Sequence, residues 1–166
     1  MNTTVNVSAR EFIEDYLIKQ INTIKQDNPY FAFLLMAVGI EFLGRCQSTN
    51  DWNNTQNSKT YFDDGLAVPT LCQYATRYPN LYHQLRCGLA HAYHPDGIII
   101  SNKGEEGDIS CDDFYTDFVA ACRNILADKA PKKVRNLDEF FFDVTTTDDG
   151  TSSTATTTNN QVQQTK

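Results

Sequence analysis

The sequence lacks an apolar run long enough to cross a bilayer. Its longest apolar stretch, Tyr30–Ile40, has 11 residues and is followed directly by Glu41, whereas a membrane-spanning helix needs about 20 residues. The N-terminal residues MNTTVNVSAR contain no basic segment followed by an apolar run, so we expect no signal peptide. We therefore expect a cytoplasmic protein without a membrane partner.

Basic residues are scarce. The chain carries 14 Lys and Arg residues against 21 Asp and Glu residues, for a net charge of −7. This balance argues against a protein that coats nucleic acid through bulk positive charge, because such binding needs many cations to displace counterions. A local basic site is still open, and the one basic cluster comprises Lys129, Lys132, Lys133 and Arg135. The cluster either holds phosphates or forms a solvated linker after a helix C-terminus, and we favour the linker.

Paired cysteine motifs are also absent. The five cysteines (Cys46, Cys72, Cys87, Cys111 and Cys122) are widely spaced and never form a CxxC pair. A disulfide framework and a zinc finger both need closer or more regular spacing, so we expect free thiols in a reducing compartment. His91 and His94 share helical spacing, but no carboxylate lies nearby at a useful spacing, so we expect no metal and no cofactor.

The 166 residues are enough for one domain with a sizeable core. The last 22 residues contain no aromatic residue, Leu or Ile, so they have too little apolar surface to offset the entropy of folding. We predict a flexible N-terminus over 1–7, a single helical domain over 8–144 and a disordered Thr-, Ser-, Asn- and Gln-rich tail over 145–166.

The hydrophobic pattern of the domain predicts an all-α bundle of four to five main helices. Ser8 and Glu11 have the spacing of a capping box that starts the first helix. Asn28 and Pro29 should end it, since the residue before proline avoids helical angles. Further helices are predicted over 29–46, in two short pieces over 60–77, and over 78–94, 111–126 and 137–144. A small β-hairpin over 98–110 is expected after the 78–94 helix.

Two side chains of the 78–94 helix have the chemistry for RNA cleavage. Histidine titrates near neutrality, so His91 suits proton transfer to or from a 2′-hydroxyl or leaving group. Arg86 suits neutralisation of the scissile phosphate and of its transition-state charge. Five steps of about 100° put the two side chains roughly 140° apart around an ideal α-helix. A joint site therefore needs a distorted helix or a second copy of the chain.

The segment LYHQLRCGLAHAY (81–93) resembles the signature helix of HEPN (higher eukaryotes and prokaryotes nucleotide-binding) domains. These are all-α bundles whose motif is an arginine, four to six residues, and a histidine. Arg86 and His91 match the two fixed positions. The resemblance implies a metal-independent RNA endonuclease of the toxin or phage-defence type that acts as a homodimer, with RNA as substrate and an antitoxin or other protein as a further partner.

The same family includes catalytically inactive members, so a helical dimerisation or partner-binding module is the alternative. Active members usually carry a polar residue directly after the arginine, and here that residue is Cys87. Glu41, Tyr93 and His94 are further candidates for supporting the site or binding substrate. Each also has a structural interpretation: Glu41 as a partner of Arg45 four residues on, Tyr93 as amphipathic packing and His94 as a helix end.

Overall fold

The computed structural model describes residues 2–52, 57–92, 95, 97–101, 106–139, 141–147 and 157–158. Most of these residues are helical, so the predominantly α fold expected from the sequence is confirmed. Within this described part of the chain, no helix combines the length and apolar character needed to cross a membrane.

The helical part of the chain begins with one continuous rod that changes its hydrogen-bonding pattern twice. In it, α1 (Ala9–Glu11) runs into a π-helical segment, π1 (Phe12–Gln20), and then into α2 (Ile21–Asp27). The remaining helices are α3 (Pro29–Arg45), α4 (Ser58–Leu66), α5 (Cys72–Arg77), the π-helical segment π2 (Tyr82–Ala92) and α6 (Cys111–Leu126). When the rod is counted as one helix, the described residues contain six helices. Two of them, α4 and α5, are the short helices expected around 60–77.

Local sequence signals set the helix ends as expected. The Ser8 hydroxyl accepts a hydrogen bond from the Glu11 backbone N–H at 3.2 Å, and the Glu11 carboxylate accepts one from the Ser8 backbone N–H at 2.8 Å. This is the predicted capping box. Asn28 accepts from the Phe31 backbone N–H at 3.0 Å, and Pro29 occupies the first turn of α3. Both pairs satisfy backbone groups that a helix leaves open at its start.

Helix α3 is the centre of the hydrophobic core. It packs against α2, α4, α6 and π2, which explains why its sequence is apolar on nearly every side. The core buries large side chains from all of these elements, among them Phe33, Met36, Ile40, Leu43, Phe62, Leu85, Phe114 and Phe118. Burial of this much apolar surface is the main stabilising contribution to the fold.

Two glycines let α3 and α4 approach at backbone distance. A Cβ atom built on Gly44 would lie 1.7 Å from the Tyr61 carbonyl oxygen, and one on Gly65 would lie 2.0 Å from the Ile40 carbonyl oxygen. At Gly39 the nearest atom is Cζ of Phe118, at 2.6 Å. Gly39 and Gly44 therefore both lie where α3 comes close to a neighbouring helix.

The small sheet after π2 differs from the predicted hairpin. Strands β2 (Ile100–Ser101) and β3 (Ile109–Ser110) pair in parallel, not antiparallel. Ile99 fixes this arrangement, because its carbonyl oxygen accepts hydrogen bonds from the N–H groups of Asp108 and Ile109. Both Ile100 and Ile109 are buried in this arrangement.

A second sheet corrects the prediction for both ends of the chain. Strand β1 (Asn2–Ser8) pairs antiparallel with β4 (Phe141–Thr147), and β5 (Thr157–Thr158) adds to β4. Strands thus replace the flexible segment expected over 1–7, the helix expected over 137–144 and parts of the tail expected to be disordered over 145–166. The remaining residues of that tail, and Phe140, lie outside the described residues.

The physical reason is that 2–8 and 141–147 are rich in Val, Thr and Phe, which suit extended backbone. Neither segment forms a sheet alone, and their partner lies at the opposite end of the chain. The pairing therefore cannot be predicted from either segment alone.

All five cysteines are free thiols in the structure, as their spacing predicts. Cys46, Cys111 and Cys122 are buried. Burial raises the pKa of all three thiols, to about 11 for Cys111. A raised pKa lowers the thiolate fraction near neutrality, so these three side chains act as small apolar residues of the core.

The helix contact at Gly44 yields a stability prediction. Gly44→Ala should lower the free energy of unfolding by about 3 kcal/mol, because the added methyl group meets fixed backbone of α4. Gly39→Ala should cost less, because the added methyl group meets the end of the Phe118 side chain and not fixed backbone. Urea denaturation of both variants, with exposed Ala75→Ser as a control, measures this order. Equal stability of Gly44→Ala and wild type would contradict the observed helix contact.

Candidate active site

The candidate residues Arg86 and His91 both belong to π2. Leu85 and Leu89 of the same segment are buried in the core and hold it against α3. The polar side chains of the segment are half-buried or exposed. The apolar residues of π2 therefore anchor the segment that carries both candidate residues.

The π-helical geometry changes the angle between the two candidates. A π-helix bonds residue i to residue i+5 and has roughly 4.4 residues per turn, so each step is about 82°. Five steps then leave Arg86 and His91 only about 50° apart, compared with roughly 140° in an α-helix. A distorted helix, one of the two routes to a joint site, is therefore present over Tyr82–Ala92.

Arg86 is held in place by Glu41 of α3. The Arg86 Nε atom donates to Oε2 of Glu41 at 3.3 Å. The other carboxylate oxygen, Oε1, accepts from the Ser58 hydroxyl at 2.9 Å and from Nη2 of Arg45 at 3.1 Å. Glu41 is only 6% exposed, so three donors from three elements satisfy a buried carboxylate.

Glu41 therefore fills both roles that its sequence position allows. It pairs with Arg45 one helical turn on, and it also positions Arg86 of the neighbouring segment. The two guanidinium groups share one carboxylate, which leaves an excess of one positive charge. Their side chains remain 20% and 25% exposed, for Arg45 and Arg86 respectively, so this charge is accessible to an anion.

Arg45 is itself fixed on two further sides. Its Nη1 atom donates to the Trp52 carbonyl oxygen at 2.8 Å, and its guanidinium carbon lies 5.1 Å from the centre of the Tyr61 ring. Trp52 is buried against Phe42, with the ring centres 5.6 Å apart. These contacts order the 46–52 segment beside the site.

Cys87 lies next to Tyr82, which precedes it by one π-helical turn. Burial raises the pKa of the Tyr82 hydroxyl, and the Cys87 thiol raises it further, whereas Arg86 acts in the opposite direction. The phenol is therefore protonated near neutral pH and available as a hydrogen-bond donor. The structure thus places Cys87 beside the Tyr82 hydroxyl.

His91 is exposed. Its side chain makes no hydrogen bond or ion pair with another residue that the structure describes. The structure thus joins Arg86 and Glu41 by direct contact and leaves His91 open to solvent on the same segment. Tyr93 and His94, the remaining candidates, lie outside the described residues.

Three contributors to the site were not among the sequence candidates: Arg45, Ser58 and Tyr82. The i, i+4 spacing from Glu41 was a usable signal for Arg45. Ser58 has no local signal, because it reaches Glu41 only through the packing of α4 on α3. Tyr82 reads as part of an apolar stripe in an α-helix, and only the π-helical turn brings it beside Cys87.

No group of three or more His, Cys, Asp or Glu side chains is arranged to hold a metal ion among the described residues. The donors gathered around Glu41 are two guanidinium groups and a hydroxyl, which are not metal ligands in their protonated forms. The arrangement instead suits an anion with several oxygen atoms, such as a phosphate.

No protein-family model matches the chain, and neither does any curated protein or solved structure. The resemblance of residues 81–93 to the HEPN signature helix therefore stays a prediction.

The Glu41 contacts predict a large effect of a small substitution. Glu41→Gln should lower the free energy of unfolding by about 2 kcal/mol, because two partly buried guanidinium groups lose their carboxylate. Asp63→Asn is the matched control, since it removes an exposed i, i+4 partner of Lys59 and should have a much smaller effect. Urea denaturation measures both. Equal losses would show that Glu41 is not the anchor of this cluster.

Proposed function

We propose that the chain is a HEPN-like, metal-independent RNA endonuclease that acts as a homodimer. In this mechanism Arg86 binds the scissile phosphate and His91 transfers the proton of the 2′-hydroxyl or of the leaving group. The attacking 2′-oxygen forms a bond to phosphorus while the bond to the 5′-oxygen breaks. The products are a 2′,3′-cyclic phosphate and a 5′-hydroxyl.

The observation that carries this proposal is the π-helical turn between Arg86 and His91. It brings a phosphate-binding cation and an exposed imidazole to within about 50° of each other on one segment. Phosphate binding and proton transfer must act on the same phosphodiester, so this shared side supports a common site.

The second support is the electrostatics around Arg86. Glu41 contacts only the Nε atom of Arg86, so the terminal nitrogens remain for the two oxygens of a phosphate. The carboxylate fixes the side chain without fully neutralising the paired arginines. Glu41 is thus proposed as a positioning residue that holds Arg86 ready for substrate.

An apolar surface beside π2 supports the dimer. Tyr30, Phe31 and Val38 of α3 are 49%, 47% and 44% exposed. Tyr30 and Phe31 also line a groove of about 180 Å³ together with Leu34 and with Leu89 of π2. We propose a second copy of the chain as the occupant, because Leu89 of the groove belongs to π2, the segment that carries both proposed active residues.

A second candidate function is supported by Arg86 and Cys87. Arg86 has an internal ion pair, which is what a structural arginine requires, and the thiol of Cys87 is a weak hydrogen-bonding group. With these residues serving the fold, the same apolar surface would make the chain a catalytically silent dimerisation or partner-binding module.

RNA cleavage in excess EDTA separates the two functions. Purified wild type should cut RNA to fragments with cyclic phosphate ends. His91→Ala and Arg86→Ala should each reduce the rate by about 100-fold or more, the usual contribution of a general acid–base group or an electrostatic donor. His83→Ala is the matched control, since His83 is an exposed histidine of the same segment.

Equal cleavage by wild type and all three variants would identify a contaminating nuclease. Absence of cleavage across structured and single-stranded RNA would favour the silent module.

The dimer surface makes a separate prediction. Phe31→Ser should convert a dimer to a monomer in sedimentation equilibrium, because it removes an exposed aromatic ring from the centre of the proposed contact. Ile99→Ser is the control, since Ile99 is 62% exposed but lies outside that groove. A dimer that persists in Phe31→Ser would place the contact elsewhere, and a monomeric wild type would exclude it.

A further inference from the structure

A basic cleft lies where the chain that follows α6 passes the start of α1. Its volume is about 410 Å³, and its walls include Arg10 from α1 together with Asp128, Lys133, Arg135 and Asn136. Arg10 comes from the far end of the sequence, so the cleft exists only in the folded chain. Arg10 is fixed by the Leu137 carbonyl oxygen, which accepts its backbone N–H at 3.3 Å.

The charges that line the cleft are mostly positive. Arg10, Lys133 and Arg135 contribute three cations, against the single carboxylate of Asp128. One Asp128 oxygen already accepts the Val134 backbone N–H at 3.1 Å. Asp138 holds Arg10 by two hydrogen bonds of 2.8 and 3.2 Å from outside the lining. Lys133 has no ion-pair partner among the described residues, so positive charge remains available.

Arg135 is the most ordered cation of the cleft. Its guanidinium carbon lies 4.3 Å from the centre of the Trp52 ring, and Nη1 donates to the Asn50 carbonyl oxygen at 2.9 Å. No carboxylate of the described chain lies within 4.0 Å of it. Burial lowers the pKa of this guanidinium, and Asp51 offsets part of that effect. A partly buried cation that is held in place and has no close counter-ion favours an anionic ligand.

The sequence interpretation of 129–135 as a solvated linker therefore holds only in part. Lys132 forms an ion pair of 2.7 Å with Asp64, and Arg135 is packed on Trp52. Lys133 is exposed and forms part of the wall of the cleft, together with Arg10.

The cleft is joined to the candidate active site through Trp52. Arg135 stacks on the Trp52 ring, and the Trp52 carbonyl oxygen accepts from Arg45, which shares Glu41 with Arg86. Contacts thus link Arg86 through Glu41, Arg45 and Trp52 to Arg135 of the cleft. Arginines joined in this way suit a ligand with several negative charges better than a single small anion.

We propose that the Arg10–Lys133–Arg135 cleft binds a backbone phosphate of the RNA strand whose scissile phosphate lies at Arg86. The proposal rests on the proposed function for its choice of RNA. It adds a second contact point, remote from the chemistry, that sets the path of the strand across the 46–52 segment.

Binding of a cleavage-resistant RNA tests the cleft without requiring catalysis. A fluorescein-labelled, fully 2′-O-methylated 12-mer is titrated with the full chain and followed by anisotropy at several salt concentrations. Lys133→Gln should weaken binding by about tenfold, the size of one lost charge-assisted hydrogen bond. It should also reduce the salt dependence of log K by about 0.7, as expected for one lost phosphate contact on a single strand. Arg10→Gln is a second variant with the same expectation.

Lys59→Gln is the matched control, since it removes an exposed lysine of α4 that is paired with Asp63. It should leave affinity and salt dependence unchanged. If Lys133→Gln and Lys59→Gln bind RNA with the same affinity and salt dependence, the proposal is overturned. Inorganic phosphate should bind far more weakly than RNA, and strong phosphate binding without RNA binding would also overturn it.

The outcome is distinguishable from that of the cleavage assay. RNA binding that depends on Lys133 in a chain that cuts no RNA would support the cleft and reject the nuclease. Cleavage that survives with unchanged affinity in Lys133→Gln would support the nuclease and reject the cleft.

Discussion

The buried carboxylate of Glu41 holds together the side chains of the candidate active site. It lies on the central helix and receives hydrogen bonds from Ser58, Arg45 and Arg86, which belong to three different elements. A buried charge is tolerated only when it is paired and hydrogen-bonded, so the packing of α4 and π2 on α3 must satisfy it. The same contacts that stabilise the core therefore hold Arg86 in one orientation, and through Arg45 they order the loop that carries Trp52.

The features that the sequence predicts well are those set within a few residues. The Ser8–Glu11 capping box and the Asn28–Pro29 boundary depend on side chains and backbone groups one helical turn apart. The central helix and the buried side of α6 follow from apolar spacing alone. The pairing of Glu41 with Arg45 is of the same local kind, which is why one contact of the site could be predicted without a structure.

The features that the sequence did not predict depend on distant partners. The 141–147 strand has a partner at 2–8, and neither segment carries a signal for the other. The segment π2 is π-helical, so the standard α-helical period gives the wrong angle between Arg86 and His91. The cleft needs Arg10 and Lys133 from opposite ends of the sequence, so composition alone makes 129–135 look like a linker.

The central claim is that Arg86 and His91 form one phosphate site on one side of π2. The most direct test is an NMR titration of the full chain with the 2′-O-methylated RNA, following the Arg86 Nε–Hε group and the His91 imidazole together. If the two side chains form one site, both signals shift with the same dissociation constant, and Glu41→Gln raises that dissociation constant for both. Movement of only one signal, or of neither at saturating RNA, would contradict it.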